Sequence, residues 1–158
     1  MKNRIVIKFA SFCIIILGLI ISCTVNEDDN EIIQVKYGTS FGECIGYCNR
    51  DLSLNAGFVT YNRSGWVDTI ETITFTDILG ECSWNYFKKE LPINSFLRLP
   101  SVVSCPDCAD GGAEWIEIEL ANGVKHKVSF EYYNEPAVVK YYVVRLRDIM
   151  NAYNQRGV

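Results

Sequence analysis

Two pairs of closely spaced cysteines are the residues of this chain with the most evident chemistry. Cys105 and Cys108 lie in SCPDCADGG, and Cys44 and Cys48 lie in GECIGYCN. Such spacing serves three kinds of site: a thiol–disulfide redox centre, a zinc site or a structural disulfide. The choice depends on the compartment, because thiols outside the cytoplasm usually oxidise.

Redox catalysis by Cys105 and Cys108 has little support from the flanking residues. A thioredoxin-like centre places its first cysteine at a helix N-terminus, where the dipole lowers the thiol pKa. Here Ala-Asp-Gly-Gly follows Cys108, which is a poor helix start, and Asp107 and Asp110 disfavour a thiolate. A thiol–disulfide oxidoreductase using this pair is therefore the alternative function.

Metal binding is also weakly supported. The four cysteines fit the spacing of tetrahedral zinc, but an oxidising compartment opposes free thiolates. Three acidic residues lie within or after the Cys105–Cys108 pair, but their spacing does not match the calcium ligands of an EF-hand loop. They are Asp107, Asp110 and Glu114. We interpret them as a solvated acidic loop and expect no metal and no other cofactor.

His126 is the single histidine of the 158 residues. The predicted hairpin places it on an apolar face beside Ile118, which indicates a hydrogen-bonded core histidine rather than a catalytic base. With this one histidine, hydrolase chemistry has little support from the sequence. We therefore predict that the protein is not an enzyme.

The N-terminus indicates the compartment. Three basic residues precede an apolar run at 9–21, FASFCIIILGLII. The run is shorter than the ~20 residues of a membrane-spanning helix and fits a secretory signal. It ends in Ile-Ile-Ser-Cys, which resembles a bacterial lipobox. This resemblance implies that residues 1–22 are a lipoprotein signal peptide. It also implies that Cys23 carries acyl chains, which labelled palmitate would reveal, and that these chains anchor the protein in a membrane.

The residues after Cys23 are acidic. Loss of the signal removes three basic and no acidic residues, so the net charge moves from −4 to −7. This excess argues against nucleic acid as a partner and against electrostatic binding to anionic lipid. Residues 23–32 read as a solvated tether, either a spacer or an export signal. Glu27-Asp28-Asp29 resembles the surface-export signal of Bacteroidota lipoproteins, so we predict outer-membrane attachment, on the periplasmic or cell-surface face.

Residues 33–158 are predicted to form a single α+β domain. We expect an antiparallel sheet of about five strands, with a short middle helix and a long C-terminal helix packed on one face. Ser83 is the predicted N-cap of the middle helix, and Pro92 stops it. The C-terminal helix is predicted to begin near Asn134 and Pro136, with an apolar stripe at helical spacing. The stripe comprises Val139, Tyr142, Val143, Leu146, Ile149, Met150 and Tyr153, and Lys140, Arg145, Arg147 and Asp148 are expected on the remaining surface.

Two hairpins have registers that the side-chain pattern predicts. Around residues 55–57, an even-numbered loop keeps four apolar side chains on one face. They are Leu52, Leu54, Val59 and Tyr61. In the late hairpin, a three-residue loop ending in a left-handed Gly123 satisfies both faces. It pairs Leu120 with Val124, Ile118 with His126, Ile116 with Val128, Glu119 with Lys125 and Glu117 with Lys127.

The first cysteine pair carries a family resemblance. The segment Cys44-Ile45-Gly46-Tyr47-Cys48 and the hairpin after it resemble an uncharacterised family of small secreted or lipid-anchored bacterial proteins, many from Bacteroidota. Its members have C-x-G-x-C before the first hairpin, a middle helix, and a late hairpin followed by a terminal helix. The resemblance runs from Tyr37 to Tyr153 and implies one domain and an envelope location, with no assigned activity. Many members have proline where this chain has Asn49.

That resemblance bears on the cysteine pairing. Many family members lack the second pair, which implies that Cys44 and Cys48 close their own loop. Cys105 and Cys108 would then do likewise and leave Cys82 free. Cross-pairing between the two loops is the competing arrangement, because connectivity does not follow from spacing.

The remaining candidates concern modification and binding. Asp68-Thr69-Ile70 resembles the O-glycosylation tripeptide of exported Bacteroidota proteins, which makes Thr69 a candidate acceptor. Four aromatic residues could line a binding face, although core packing explains them equally well. They are Tyr47, Trp66, Trp84 and Trp115. The predicted anchor and tether, without a catalytic constellation, favour a non-enzymatic binding module for a protein or a surface polymer.

Overall fold

The computed structural model of the chain describes residues 30–67 and 70–157. Cys23, the signal peptide and most of the tether lie outside the described residues, as does Thr69. Lipidation and glycosylation therefore stay predictions. Within the described ranges, no helix is long and apolar enough to cross a membrane.

One mixed sheet of seven strands is the centre of the fold, in the order β4-β3-β2-β1-β6-β7-β5. The strands are Ile32–Ser40 (β1), Asn49–Asn55 (β2), Gly57–Ser64 (β3), Ile73–Leu79 (β4), Val102–Val103 (β5), Ala113–Leu120 (β6) and Lys125–Glu131 (β7). Neighbouring strands are antiparallel except β5 and β7, which are parallel. The α+β class is confirmed. The expected count of about five antiparallel strands is about two below the seven observed. One of the strands not predicted is two-residue β5, which is too short to show an alternating pattern and pairs in parallel with β7.

Three α-helices accompany the sheet in the described part of the chain: Glu81–Glu90 (α1), Ile93–Phe96 (α2) and Lys140–Asn154 (α3). The prediction of Ser83 as the N-cap of α1 is wrong. Gly80 is the N-cap, since its carbonyl accepts the first helical hydrogen bond, from the Trp84 amide at 3.0 Å. The helix ends before Pro92, as predicted. A 3₁₀ turn over Ala137–Val139 follows Pro136, and regular helix begins at Lys140.

The hydrophobic core fills the space between one face of the sheet and the helices. Strands β1, β2, β3, β6 and β7 contribute alternate side chains, and α1 and α3 contribute one apolar stripe each. The largest fully buried apolar side chains are Tyr37, Leu52, Leu54, Tyr61, Phe96, Ile116, Ile118, Phe130, Tyr142 and Leu146. The predicted stripe of α3 faces this core, whereas Arg147, predicted on the remaining surface of the helix, is buried.

Both predicted hairpin registers are confirmed. In β2–β3, Leu52 pairs with Tyr61 and Leu54 with Val59. In β6–β7, the Leu120 amide donates to the Val124 carbonyl at 2.9 Å, and the strand pairs follow the predicted register. Gly123 has a φ of 83°, as the three-residue loop requires.

Candidate functional site

The cysteines of each pair face each other. The sulfur atoms of Cys44 and Cys48 lie within bonding distance, with 5.6 Å between the Cα atoms, and Cys105 and Cys108 do likewise with 5.5 Å. Both Cα separations suit a disulfide. Cys82 is exposed and lies outside these pairs.

The two cysteine loops are in contact through Asp107. Its Oδ1 atom accepts hydrogen bonds from the backbone amides of Gly42 at 3.3 Å and Gly112 at 3.2 Å. The turn after Cys108 is a three-residue 3₁₀ segment in which Ala109 has a positive φ. This turn has no helix dipole aimed at either thiol. Across the described ranges, no three His, Cys, Asp or Glu side chains converge to hold a metal ion.

Glu114 does not belong to a solvated loop, which corrects the interpretation made from the sequence. It lies in β6 with no exposed surface, and the Arg147 guanidinium binds both of its carboxylate oxygens. The Tyr37 hydroxyl donates to Glu114 Oε1 at 2.9 Å, and Arg147 Nη2 also donates to Glu135 Oε2 at 2.9 Å. Arg147, expected on the helix surface, is therefore buried. We call these four residues the Arg147 network.

The charges of the Arg147 network reinforce each other. Burial opposes the charged form of Arg147, but the hydrogen bonds that it donates to the two glutamates outweigh this effect and raise its pKa. Burial also opposes the charged form of Glu135, yet the bond from Arg147 lowers its pKa. Burial and the Glu114 charge raise the pKa of Tyr37. Because these groups satisfy one another, we assign the network a structural role, holding α3 against the sheet.

A sequence signal for Glu114 existed. Glu114, Ile116, Ile118 and Leu120 alternate along one strand, so period two places the carboxylate on the buried face. A buried carboxylate needs a cation, and Arg147 lies one helical turn beyond Val143 in the apolar stripe of α3.

The four aromatic candidates lie in different settings and do not form one binding face. Trp84 is buried in the core, while Trp66 is exposed and donates its indole N–H to the Phe41 carbonyl at 2.6 Å. Trp115 lies under Lys127, which is 4.2 Å from the ring centroid, and Tyr47 lies under the Arg63 guanidinium.

His126 is half-buried, with its ring edge-on to Phe96 at 5.2 Å between centroids. Its Nε2 atom is buried without a partner in the part of the chain that the structure describes. The hydrogen bond expected for a core histidine is therefore not made at that atom.

The strongest candidate for a binding site is a pocket between α1 and α3, which the sequence analysis did not predict. We call it the tyrosine pocket. Its volume is about 430 Å³, and its lining residues are Tyr86, Glu90, Tyr141, Tyr142 and Arg145. A second, more apolar groove of about 460 Å³ shares Tyr86 and Arg145 with it and extends along Cys82.

Two polar atoms of the tyrosine pocket lack partners. Tyr142 is only 2% exposed, and both its hydroxyl oxygen and Glu90 Oε2 are buried without a hydrogen bond in the described ranges. Burial and the nearby Glu90 charge raise the pKa of Tyr142 well above its usual value. Each such orphaned group costs about 1–3 kcal/mol, which a bound ligand could recover.

The rim of the pocket is aromatic and charged. Tyr141 is 92% exposed and Tyr86 is 58% exposed. Arg145 Nη1 lies 3.8 Å from Glu90 Oε1 and leaves the other carboxylate oxygen unpaired. Tyrosine and arginine are enriched in binding hot spots, and tyrosines this exposed on a helix contribute little to the core. The sequence signal was that Tyr86 and Tyr141 fall outside the apolar stripes of their helices.

No protein-family model matches this chain, and no curated protein matches it either. The function must therefore be argued from the site itself.

Proposed function

We propose that this protein is a lipid-anchored protein of the cell envelope whose folded part is a non-enzymatic binding module. The observation that carries the binding role is the tyrosine pocket, whose lining combines two exposed tyrosines with two buried polar atoms that have no partner among the described residues. The lipid anchor rests only on the lipobox-like sequence that ends at Cys23. The resemblance to the Bacteroidota family belongs to the same proposal.

The lining of the pocket supports binding over catalysis. Glu90 is the one carboxylate among its lining residues, whereas glycoside hydrolysis usually needs two. The proposed location of the protein is the outer membrane, on the periplasmic or cell-surface face, and its proposed partner is a protein or a surface polymer.

The anchor is tested by acylation. Cells that express Cys23→Ser should not incorporate labelled palmitate into the protein, which should leave the membrane fraction. Cys13→Ser is the matched control, because Cys13 lies within the proposed signal and should leave labelling intact. Equal labelling of the two variants would refute the anchor.

The binding role is tested by sedimentation of the full-length protein with insoluble envelope polymer. A Tyr86→Ala/Tyr141→Ala variant should be retained at least tenfold less than the wild type. Phe58→Ala/Ile78→Ala is the control, since these exposed side chains pair across β3 and β4, away from the pocket. If all three proteins sediment equally, the pocket is not the binding site, and if all three stay in solution, the envelope polymer is not the partner.

The alternative function is a thiol–disulfide oxidoreductase that uses Cys105 and Cys108. One observation favours it: both cysteines are exposed, so a substrate thiol could reach them. An insulin-reduction assay separates the two functions. If the protein is an oxidoreductase, the wild type should reduce insulin and Cys105→Ser should not. If it is a binding module, neither protein should reduce insulin.

A further inference from the structure

We propose that the tyrosine pocket binds a neutral oligosaccharide, with one sugar ring between the two exposed tyrosines. This inference rests on the proposed function and deepens it by naming the ligand class. The volume of about 430 Å³ falls within the roughly 300–1,000 Å³ of small-molecule sites.

The polar groups of the pocket match hydroxyl groups. Glu90 Oε2 needs a donor, and the Tyr142 hydroxyl is able to donate or to accept. The Arg145 guanidinium supplies donors only. Both oxygens are closed to solvent in this conformation, so binding requires the exposed Arg145 and Tyr141 side chains to shift and uncover them. A sugar hydroxyl both donates and accepts, so neighbouring hydroxyls on one ring can then satisfy the carboxylate, the phenol and the guanidinium together.

The apolar groups of the pocket match the faces of a sugar ring. A pyranose carries C–H groups on its faces and hydroxyls at its edge, and aromatic rings offer flat apolar surface for such faces. Tyr86 and Tyr141 come from different helices and stand exposed at the pocket rim. Their hydroxyl ends remain free to contact the next sugar of a chain, which is why the ligand is an oligosaccharide.

The charges of the pocket disfavour ionic ligands. Three tyrosines and a carboxylate would suit a quaternary ammonium group, but the Arg145 guanidinium lies 3.8 Å from the Glu90 carboxylate and repels a cation. An anion such as phosphate would meet the unpaired oxygen of Glu90. Positive and negative charge within one small pocket disfavour a ligand that carries a single net charge, and the exposed tyrosine rings favour a neutral sugar over a small zwitterion.

The test uses the full-length protein in a detergent that contains no sugar. The protein is applied to an array of neutral, acidic and amino oligosaccharides, and the strongest ligand is titrated by calorimetry. We expect a neutral oligosaccharide to bind, and Tyr142→Phe and Glu90→Gln each to weaken it at least tenfold. Both changes keep side-chain shape, so the fold should persist. Ile78→Ala, on the β4 edge, should bind like the wild type.

Three results would overturn the sugar ligand. The first is that no neutral oligosaccharide binds, and the second is that Tyr142→Phe and Glu90→Gln bind as well as the wild type. The third is preferential binding of tetramethylammonium or inorganic phosphate, measured in the same calorimeter. If any of these results is found while sedimentation of the protein with the envelope polymer still depends on Tyr86 and Tyr141, the sugar proposal is refuted and the binding module is retained. Loss of both signals would remove both proposals.

Discussion

The guanidinium of Arg147 in α3 binds both carboxylate oxygens of Glu114 in β6, with Nε 3.0 Å from Oε1 and Nη2 2.7 Å from Oε2. Both residues are buried, and 33 positions of sequence separate them. Such a bidentate pair is geometrically specific as well as strong. Together with the apolar stripe of α3, it holds the C-terminal helix on the sheet.

Removal of the cation from this pair should be costly. Arg147→Met leaves Glu114 and Glu135 buried near each other without a counter-charge, so we expect a loss of about 3–5 kcal/mol in the free energy of unfolding. Arg145→Met, on the same helix, is the matched control. Its ion pair with Glu90 is half-exposed and should cost at most about 1 kcal/mol. Urea denaturation measures both, and equal losses would contradict a special role for Arg147.

Glu135 should make the stability depend on acidity. Its pKa is lowered in the folded protein, so its contribution is fully present above its unfolded pKa of about 4.3 and is lost as the pH falls through the lowered value. The difference in unfolding free energy between wild type and Glu135→Gln should therefore be constant from pH 5 to 7 and shrink below about pH 4. In an Arg147→Met background the stabilising contribution of Glu135 should fall sharply, because the hydrogen bond that lowers its pKa most is gone and the unpaired Glu114 carboxylate then lies nearby. A difference independent of pH would contradict this origin.

Gly38 should be the glycine least tolerant of a side chain among those with an ordinary φ. It pairs with Trp115 across β1 and β6, and a Cβ atom there would overlap the indole, lying 2.6 Å from Nε1. Gly38→Ala should shift the indole away from Lys127, alter its fluorescence and cost about 1–3 kcal/mol. Gly80→Ala is the control, because an added Cβ meets nothing within 4 Å and φ is −62°. Unchanged fluorescence in Gly38→Ala would contradict the packing.

Cysteine labelling should distinguish the paired from the unpaired thiols. If both local pairs are disulfides, maleimide should add once to the mature lipidated protein without reductant, at Cys82, which is exposed. Four further additions should follow reduction and unfolding, and Cys82→Ala should abolish the first one. Peptide mass spectrometry locates the label. Native labelling at Cys44 or Cys105 would contradict the pairing.

Local patterns predicted much of the sheet. The β2–β3 and β6–β7 registers followed from period-two alternation and turn length, because a one-residue slip would expose a whole apolar face. Short β5 had no such pattern. Glu117 lies opposite Lys127 in the register, as predicted. Its ion pair, however, forms with Lys36 at 3.6 Å. Lys36 is on β1, and the sequence does not show that β1 lies next to β6 in the sheet.

By itself, the sequence determined the α+β class, both hairpin registers and the apolar stripe of α3, since each depends on contacts within a few residues along the chain. It also carries the predictions about Cys23, the signal peptide and the acidic tether. Tertiary structure alone decided that Arg147 is buried against Glu114 and that Tyr142 and Glu90 share a pocket. These relationships join elements far apart in sequence, and periodicity shows that a residue is buried or exposed without showing which residue it meets.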